Sequence, residues 1–229
     1  MEQLKALIFD FDGVIADTEP LHFAGLRQTL SEIGIELTES EYYAEYLGYD
    51  DHGCFVAALT THDRDTDQDT IGRLMKRKAV AYLETVKHHQ VLFPGIQEFV
   101  REAARSYPLA IASGALRHEI EYILESAGLR SAFRHITSAE DVTKGKPDPQ
   151  PFLNALKGLQ QQDRSISASA CLVIEDSIPG IRGAKAAGMK VLAVANTHTV
   201  QDLREAHAIA HSLKDTSLVD LRTRLWPAA

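Results

Sequence analysis

Two kinds of apolar pattern alternate along the chain. Short unbroken runs over residues 6–9, 109–112, 172–174 and 191–194 are rich in Ile, Val, Leu and Ala, with a weaker candidate at 135–137. Runs of this length without polar alternation predict strands buried on both faces, as in a parallel sheet. Residues 96–106, 118–127, 151–159 and 178–187 lie between them and place apolar side chains at helical spacing. This alternation predicts an α/β fold, a doubly wound parallel sheet with right-handed crossovers.

One interval breaks the rhythm. From residue 21 to about 88 the chain shows helical periodicity, over 21–33, 39–47, 55–59 and 71–86, and no convincing strand. The stretch THDRDTDQDT inside it reads as a solvated loop between helices, because a calcium loop needs a glycine at its turn and a closing glutamate. A crossover this long far exceeds an ordinary connection, so an inserted α-helical subdomain is expected.

Composition narrows the partners. The 229 residues can hold a core plus such an insert, and 45% hydrophobic with 24% charged residues is ordinary for a globular protein. Against 24 Lys and Arg stand 32 Asp and Glu, a formal charge of −8. That balance argues against nucleic acid and against anionic membrane, both of which reward a basic surface. A small anionic substrate stays open, since a local lysine and metal can override the global field. Cys54 and Cys171 lie far apart in apolar runs, which reads as two buried thiols in a reducing compartment. The opening MEQLKALIFDFDG is broken at once by aspartates, unlike a signal peptide, and no apolar run reaches membrane-spanning length. A cytoplasmic address and a monomeric state are expected. The ten histidines show no HExxH or triad spacing, and His62, His88, His89 and His118 read as surface residues.

The chemistry collects after the strands. Asp10, Asp12 and Gly13 come after the run over 6–9; Ser113 and Gly114 after that over 109–112; Glu175, Asp176 and Ser177 after that over 172–174. A loop past the weak strand carries Lys144, Gly145 and Lys146. In a parallel open sheet all of these reach one edge, the carboxyl ends of the strands, where ligands bind. Packed carboxylates repel one another, and a hard divalent cation such as magnesium, bound by oxygens, resolves the conflict. A hydroxyl and an ammonium suit the oxygens of a phosphoryl group, and a carboxylate beside both can attack phosphorus. Taken singly, each of these residues has a plainer reading: an acidic turn former, Ser113 as a cap for the helix beginning near Leu116, Lys146 as a solvated loop lysine. Their joint occurrence at four strand ends favours the site.

These motifs resemble the haloacid dehalogenase superfamily. FDFDGVIADTEPLH is similar to its first signature, SGA to the second, GKPDPQPF to the third and VIEDSIPGIRGAKAAGM to the fourth, over essentially the whole chain. The helical insert resembles the C1-type cap of the branch that holds β-phosphoglucomutase, phosphoglycolate phosphatase and CbbY-like phosphatases. The resemblance implies a core of residues 1–17 and 89–229 with a cap of 18–88. It implies Asp10 as nucleophile and magnesium ligand. Asp12 would be the general acid and base, its backbone carbonyl on the metal, and Asp176, with Glu175, would complete the Mg2+ site. Ser113, Gly114 and Lys146 would bind phosphate, Thr18 and His22 would stand at the hinge, and Lys78 would be a cap lysine directed at the substrate.

One departure bears on the reaction. Where β-phosphoglucomutase-like proteins carry an arginine after Leu47-Gly48 to grip a second phosphate, this chain reads GYDDHG, with Asp50 and Asp51. The expected enzyme is therefore a magnesium-dependent phosphatase acting on a small phosphorylated metabolite, such as a sugar phosphate, through an aspartyl-phosphate. A phosphomutase is the first alternative, and a receiver module phosphorylated on aspartate is a weaker one. A dehalogenase would not use Asp12, and a phosphonatase would need a Schiff-base lysine near the first helix, where His22 and Arg27 stand.

Overall fold

The structure is a computed structural model, and it describes residues 3–46, 49, 51–86 and 91–227. Two compact units emerge from it, Met1–Asp17 with Val91–Ala229, and Thr18–Gln90.

The first unit is α/β. Its strands are β1 (Ala6–Phe9), β2 (Leu109–Ala112), β3 (Phe133–Thr137), β4 (Cys171–Glu175), β5 (Lys190–Val194) and β6 (Ala208–Ala210). They form one parallel sheet in the order β3-β2-β1-β4-β5-β6, as the alternation of apolar runs predicts. Every residue of β1, β2 and β4 is buried, which explains their unbroken apolar character. On one face Ile8, Ala110 and Val173 pack with Phe152 and Ile181. On the other the ring of Phe9 meets Phe99 and Phe133 edge-on, at 6.2 and 5.6 Å between centroids. The strand order reverses direction at β1, which places the carboxyl end of β1 at the switch point where open α/β sheets bind ligands.

The second unit is helical: α1 (Glu19–Ser31), a single turn α2 (Glu39–Glu41), α3 (Asp51–Thr61) and α4 (Gln68–Val86). Residues 42–46 continue α2 as a π-helical turn. Leu26, Leu30, Phe55, Leu59, Ile71 and Leu74 form its core. Gly25 lets α1 lie close on α4, since a Cβ there would stand 3.3 Å from Lys78 Cγ. The polar stretch between α3 and α4 is a loop whose Asp67 carboxylate accepts from the backbone N–H of Thr70.

Helices α5 (Ile96–Ala104), α6 (Arg117–Ser126), α7 (Gln150–Gln160), α8 (Ile178–Ala186) and α9 (Leu218–Leu225) complete the first unit. Two of its elements are not predicted from the apolar pattern above. Strand β6 has only three residues, two of them half-buried, and offers too short a pattern. Helix α9 does carry a signal: the Ser217 side chain accepts from Asp220 N–H, and Leu218, Leu221 and Leu225 form a buried stripe. Just beyond it, the indole of Trp226 donates to the carbonyl of Ser169 and ties the segment to the start of β4. Among the described residues no helix is long and apolar enough to cross a membrane.

Candidate active site

Three buried carboxyl groups and one half-buried lysine meet at the carboxyl ends of β1 and β4. Asp10 leaves β1 with its backbone N–H on the carbonyl of Ile174, which fixes the exit of β1 against β4. Lys146 reaches both strand ends: Nζ lies 2.7 Å from Asp10 Oδ1 and 2.5 Å from Glu175 Oε1. The ammonium also stands 5.3 Å above the ring of the buried Phe152. The loop that presents it is stapled by Gln150, whose side-chain oxygen accepts from the backbone N–H groups of Thr143 and Lys144.

Glu175 is wholly buried, and its second oxygen accepts from the N–H groups of Asp176 and Ser177 and from the Ser177 hydroxyl, each at 2.9 Å. The same hydroxyl accepts from Gly180 N–H and caps α8. Gly180 is required here, because a Cβ would come within 1.8 Å of the Glu175 carboxylate. Gly13 does the same for Asp176: it sits at φ +76°, and a Cβ would meet Asp176 Oδ2 at 2.0 Å. The glycines of the first and fourth motifs thus make room for the carboxylates.

The electrostatics divide the acids. Burial works against the charge of Glu175, but Lys146 and the donors of Ser177 outweigh it and hold its carboxyl below the ordinary range. Burial likewise disfavours the Lys146 cation, and Asp10 with Glu175 more than compensates, so its pKa is raised. Burial lifts Asp10 well above a normal carboxylate, with Glu175 and Asp176 adding to the rise and Lys146 opposing it. Asp176 is pushed up to about 7, by burial first and then by Glu175. Two carboxylates short of counter-charge and one fully paired is the condition that a bound cation relieves.

Ligand atoms of Asp10, Glu175 and Asp176 lie within 4.8 Å of one another, so the cluster can hold a metal ion. All donors are hard oxygens, which suits magnesium over softer metals. Glu175 fits the ligand role least, since Lys146 and three further donors already engage its oxygens. Its evident task is to anchor Lys146. The side chain of Asp12 is not one of the three grouped acids; it is half-buried and adds to the negative potential at Asp176.

A sequence profile of haloacid dehalogenase-like hydrolases matches residues 7–194. The chain belongs to that family. This hydrolase is 29% identical to protein CbbY of Rhodobacter capsulatus, over 87% of this chain and 89% of that one. It is 27% identical to hexitol phosphatase B of Escherichia coli strain K12, over 97% and 96%. Among solved structures, β-phosphoglucomutase from Clostridium difficile superimposes with a TM-score of 0.81 at 21% identity, covering 97% of each chain, a likeness of fold.

The other expected residues of this hydrolase fall in two places. Ser113 is buried at the end of β2, beside β1 in the sheet; its N–H donates to Thr137 O and its hydroxyl accepts from Ala115 N–H. Gly114 comes next, in the loop to α6, whose N-cap is Leu116, not Ser113. Thr18, His22 and Lys78 belong to the helical unit. There Lys78, its side chain 4% exposed, donates to His22 Nδ1 at 2.9 Å and pairs with Asp51. His22 stacks on Tyr82 at 4.7 Å, and burial followed by the Lys78 charge lowers its pKa to about 3, so it is a neutral acceptor. Thr18 is buried at the first turn of α1, its carbonyl accepting from the N–H groups of Leu21 and His22. Leu47, Gly48, Asp50, His88 and His89 lie outside the described residues.

Sequence reasoning missed three contributors. Gln150 staples the Lys146 loop, Asn196 donates to the Gly13 carbonyl at 2.7 Å, and the Thr197 hydroxyl bonds Asp176. Polar residues just past a buried run mark the other strand ends, and the same rule applied to β5 points at Asn196 and Thr197.

Proposed function

We propose that this hydrolase is a magnesium-dependent phosphatase that cleaves a small phosphorylated metabolite through a phosphoryl group carried on Asp10. The observation that carries the reading is the convergence of Asp10, Asp176 and the Lys146–Glu175 pair at the ends of β1 and β4, with Asp10 and Asp176 short of positive charge. The names of relatives support the substrate class, hexitol phosphatase B above all. The family match over residues 7–194 counts against a receiver module.

Asp10 and Asp176, with the backbone carbonyl of Asp12, would hold magnesium, which when bound supplies charge to neutralise the phosphoryl oxygens. An Asp10 oxygen attacks phosphorus while the bond to the leaving oxygen breaks, and the Asp12 carboxyl gives that oxygen its proton. Ser113, the N–H at Gly114 and Lys146 hold the non-bridging oxygens. Asp12, now a carboxylate, takes a proton from water, whose oxygen attacks phosphorus and releases inorganic phosphate and the free Asp10 carboxylate. The helical unit acts as the cap that selects substrates, and the burial of both cysteine thiols, Cys54 and Cys171, supports a cytoplasmic setting.

A phosphomutase is the second reading, because the same core chemistry serves both. It must hold a bisphosphate, and a second dianion calls for a fixed cation, best an arginine. In the helical unit the buried ammonium of Lys78 is already paired with Asp51, which supports hydrolysis over return of the phosphoryl group. The test measures phosphate release from p-nitrophenyl phosphate and a panel of sugar phosphates with and without magnesium. It then supplies β-glucose 1-phosphate with a trace of glucose 1,6-bisphosphate. Free phosphate should dominate; glucose 6-phosphate formed much faster than phosphate would make the enzyme a mutase.

A further inference from the structure

The turn after β5 does work for the site that no motif records. To serve a metal ion, Asp176 must offer one oxygen outward while its other oxygen is held, since a carboxylate fixed at neither oxygen is free to rotate. The held oxygen is Oδ2. Gly13 leaves space for it on one side, since any Cβ there would overlap it, and the Thr197 hydroxyl bonds it on the other. A hydroxyl has one proton. Given to Oδ2, it leaves Oγ1 to accept from His198 Nδ1, 3.0 Å away, so the three groups form a directed chain that ends on the carboxylate. Asn196 adds the second tie: its side-chain amide donates to the carbonyl of Gly13 and locks the acidic turn after β1 to the same segment.

We infer that Thr197 and Asn196 are positioning residues, a clamp that fixes Asp176 by Oδ2 and leaves Oδ1 as its ligand oxygen for the divalent cation. The clamp rests on the metal reading above and adds to it a specific dependence on a hydroxyl at position 197. Thr197 is exposed, so a substitution there disturbs no core. Groups that orient metal ligands in this way are typically worth about 10- to 100-fold in metal affinity or activity.

The test is direct Mn2+ uptake by the full chain without substrate, monitored by the electron paramagnetic resonance of free Mn2+. Thr197→Val removes the donor and keeps the shape; Thr197→Ser restores the donor. The valine variant should bind Mn2+ roughly tenfold or more weakly, and the serine variant within about threefold of the parent. In turnover assays the valine variant should need more metal for half-maximal rate, with KM for substrate unchanged at saturating metal. Equal Mn2+ affinity of the valine variant and the parent would overturn the clamp and leave the metal reading standing. Weakening in both variants would show that the hydroxyl is not what matters, and would also overturn it. A parent that takes up no Mn2+ would sink the metal reading and the clamp with it.

Discussion

Each unit sets a lysine against carboxylate, and the two do it differently. In the α/β unit Lys146 bridges Asp10 and Glu175, and its neighbours Asp10 and Asp176 remain starved of positive charge. In the helical unit Lys78 is balanced by Asp51 and rests on a neutral His22. The first cluster is poised to take up a cation and an anion together, whereas the second is closed on itself. In the proposed mechanism the electrostatically frustrated cluster is the reacting centre, and the satisfied ion pair belongs to substrate selection.

The sharpest break of this contrast compares Asp10→Asn with Lys78→Ala. Loss of the nucleophile should cost more than about a thousandfold in kcat, since no other group can carry the phosphoryl. Lys78→Ala should cost far less, and more for a sugar phosphate than for p-nitrophenyl phosphate. Steady-state kinetics on both substrates decide it, and an equal loss on both would remove Lys78 from substrate selection.

Lys146→Met comes next. It leaves the wholly buried Glu175 without its cation, which in comparable sites costs about 3–5 kcal/mol of stability. Urea unfolding should show that loss; a midpoint within error of the parent would mean Glu175 is carried by the donors of Asp176 and Ser177 alone.

The starved carboxylates also give a pH dependence with a definite sign. Asp176 rises from an ordinary 3.8 to about 7 in the metal-free fold, with Asp10 shifted the same way. Between those values the folded state keeps a proton that the unfolded chain has lost, so stability without metal falls as pH rises. Magnesium must displace that proton, so its apparent affinity should drop roughly tenfold per unit of pH below about 7. Thermal shifts on adding magnesium at pH 5.5 and 7.5 should therefore be clearly larger at 7.5. Equal shifts would mean that Asp176 is ionised throughout.

The smallest effect tests the helical unit. Asp51→Asn frees the Lys78 charge and should raise kcat/KM for a sugar bisphosphate relative to its monophosphate, by roughly tenfold or about 1.4 kcal/mol. An unchanged ratio would mean Lys78 does not face the distal end of the substrate.

The same contrast explains what could be read from the sequence. Strands β1, β2 and β4 are unbroken apolar runs, and the residue after each is fixed at one sheet edge by backbone geometry alone. Asp10, Ser113, Glu175 and Asp176 were therefore legible as a set. Helical positions carry no such rule. His22, Asp51 and Lys78 come from α1, α3 and α4, and only side-chain packing brings them together. The pattern predicted those helices but gave no sign that Asp51 would neutralise Lys78. Between these cases stand the partners of the site acids: Glu175 as anchor of Lys146, and Thr197 on Asp176. Both lie at strand ends, but their hydrogen bonds depend on loop conformations that no spacing encodes.

The central claim is that Asp10 carries the phosphoryl group, and Asp12→Asn with p-nitrophenyl phosphate tests it most directly. p-Nitrophenolate leaves without a proton, so this variant should still transfer phosphate to Asp10, while the amide cannot activate water to remove it. The account predicts a rapid burst of about one p-nitrophenolate per chain, then slow turnover. Borohydride reduction of the quenched protein should convert residue 10, and no other aspartate, to homoserine. No burst together with an unmodified Asp10, or reduction at a different carboxylate, would contradict it.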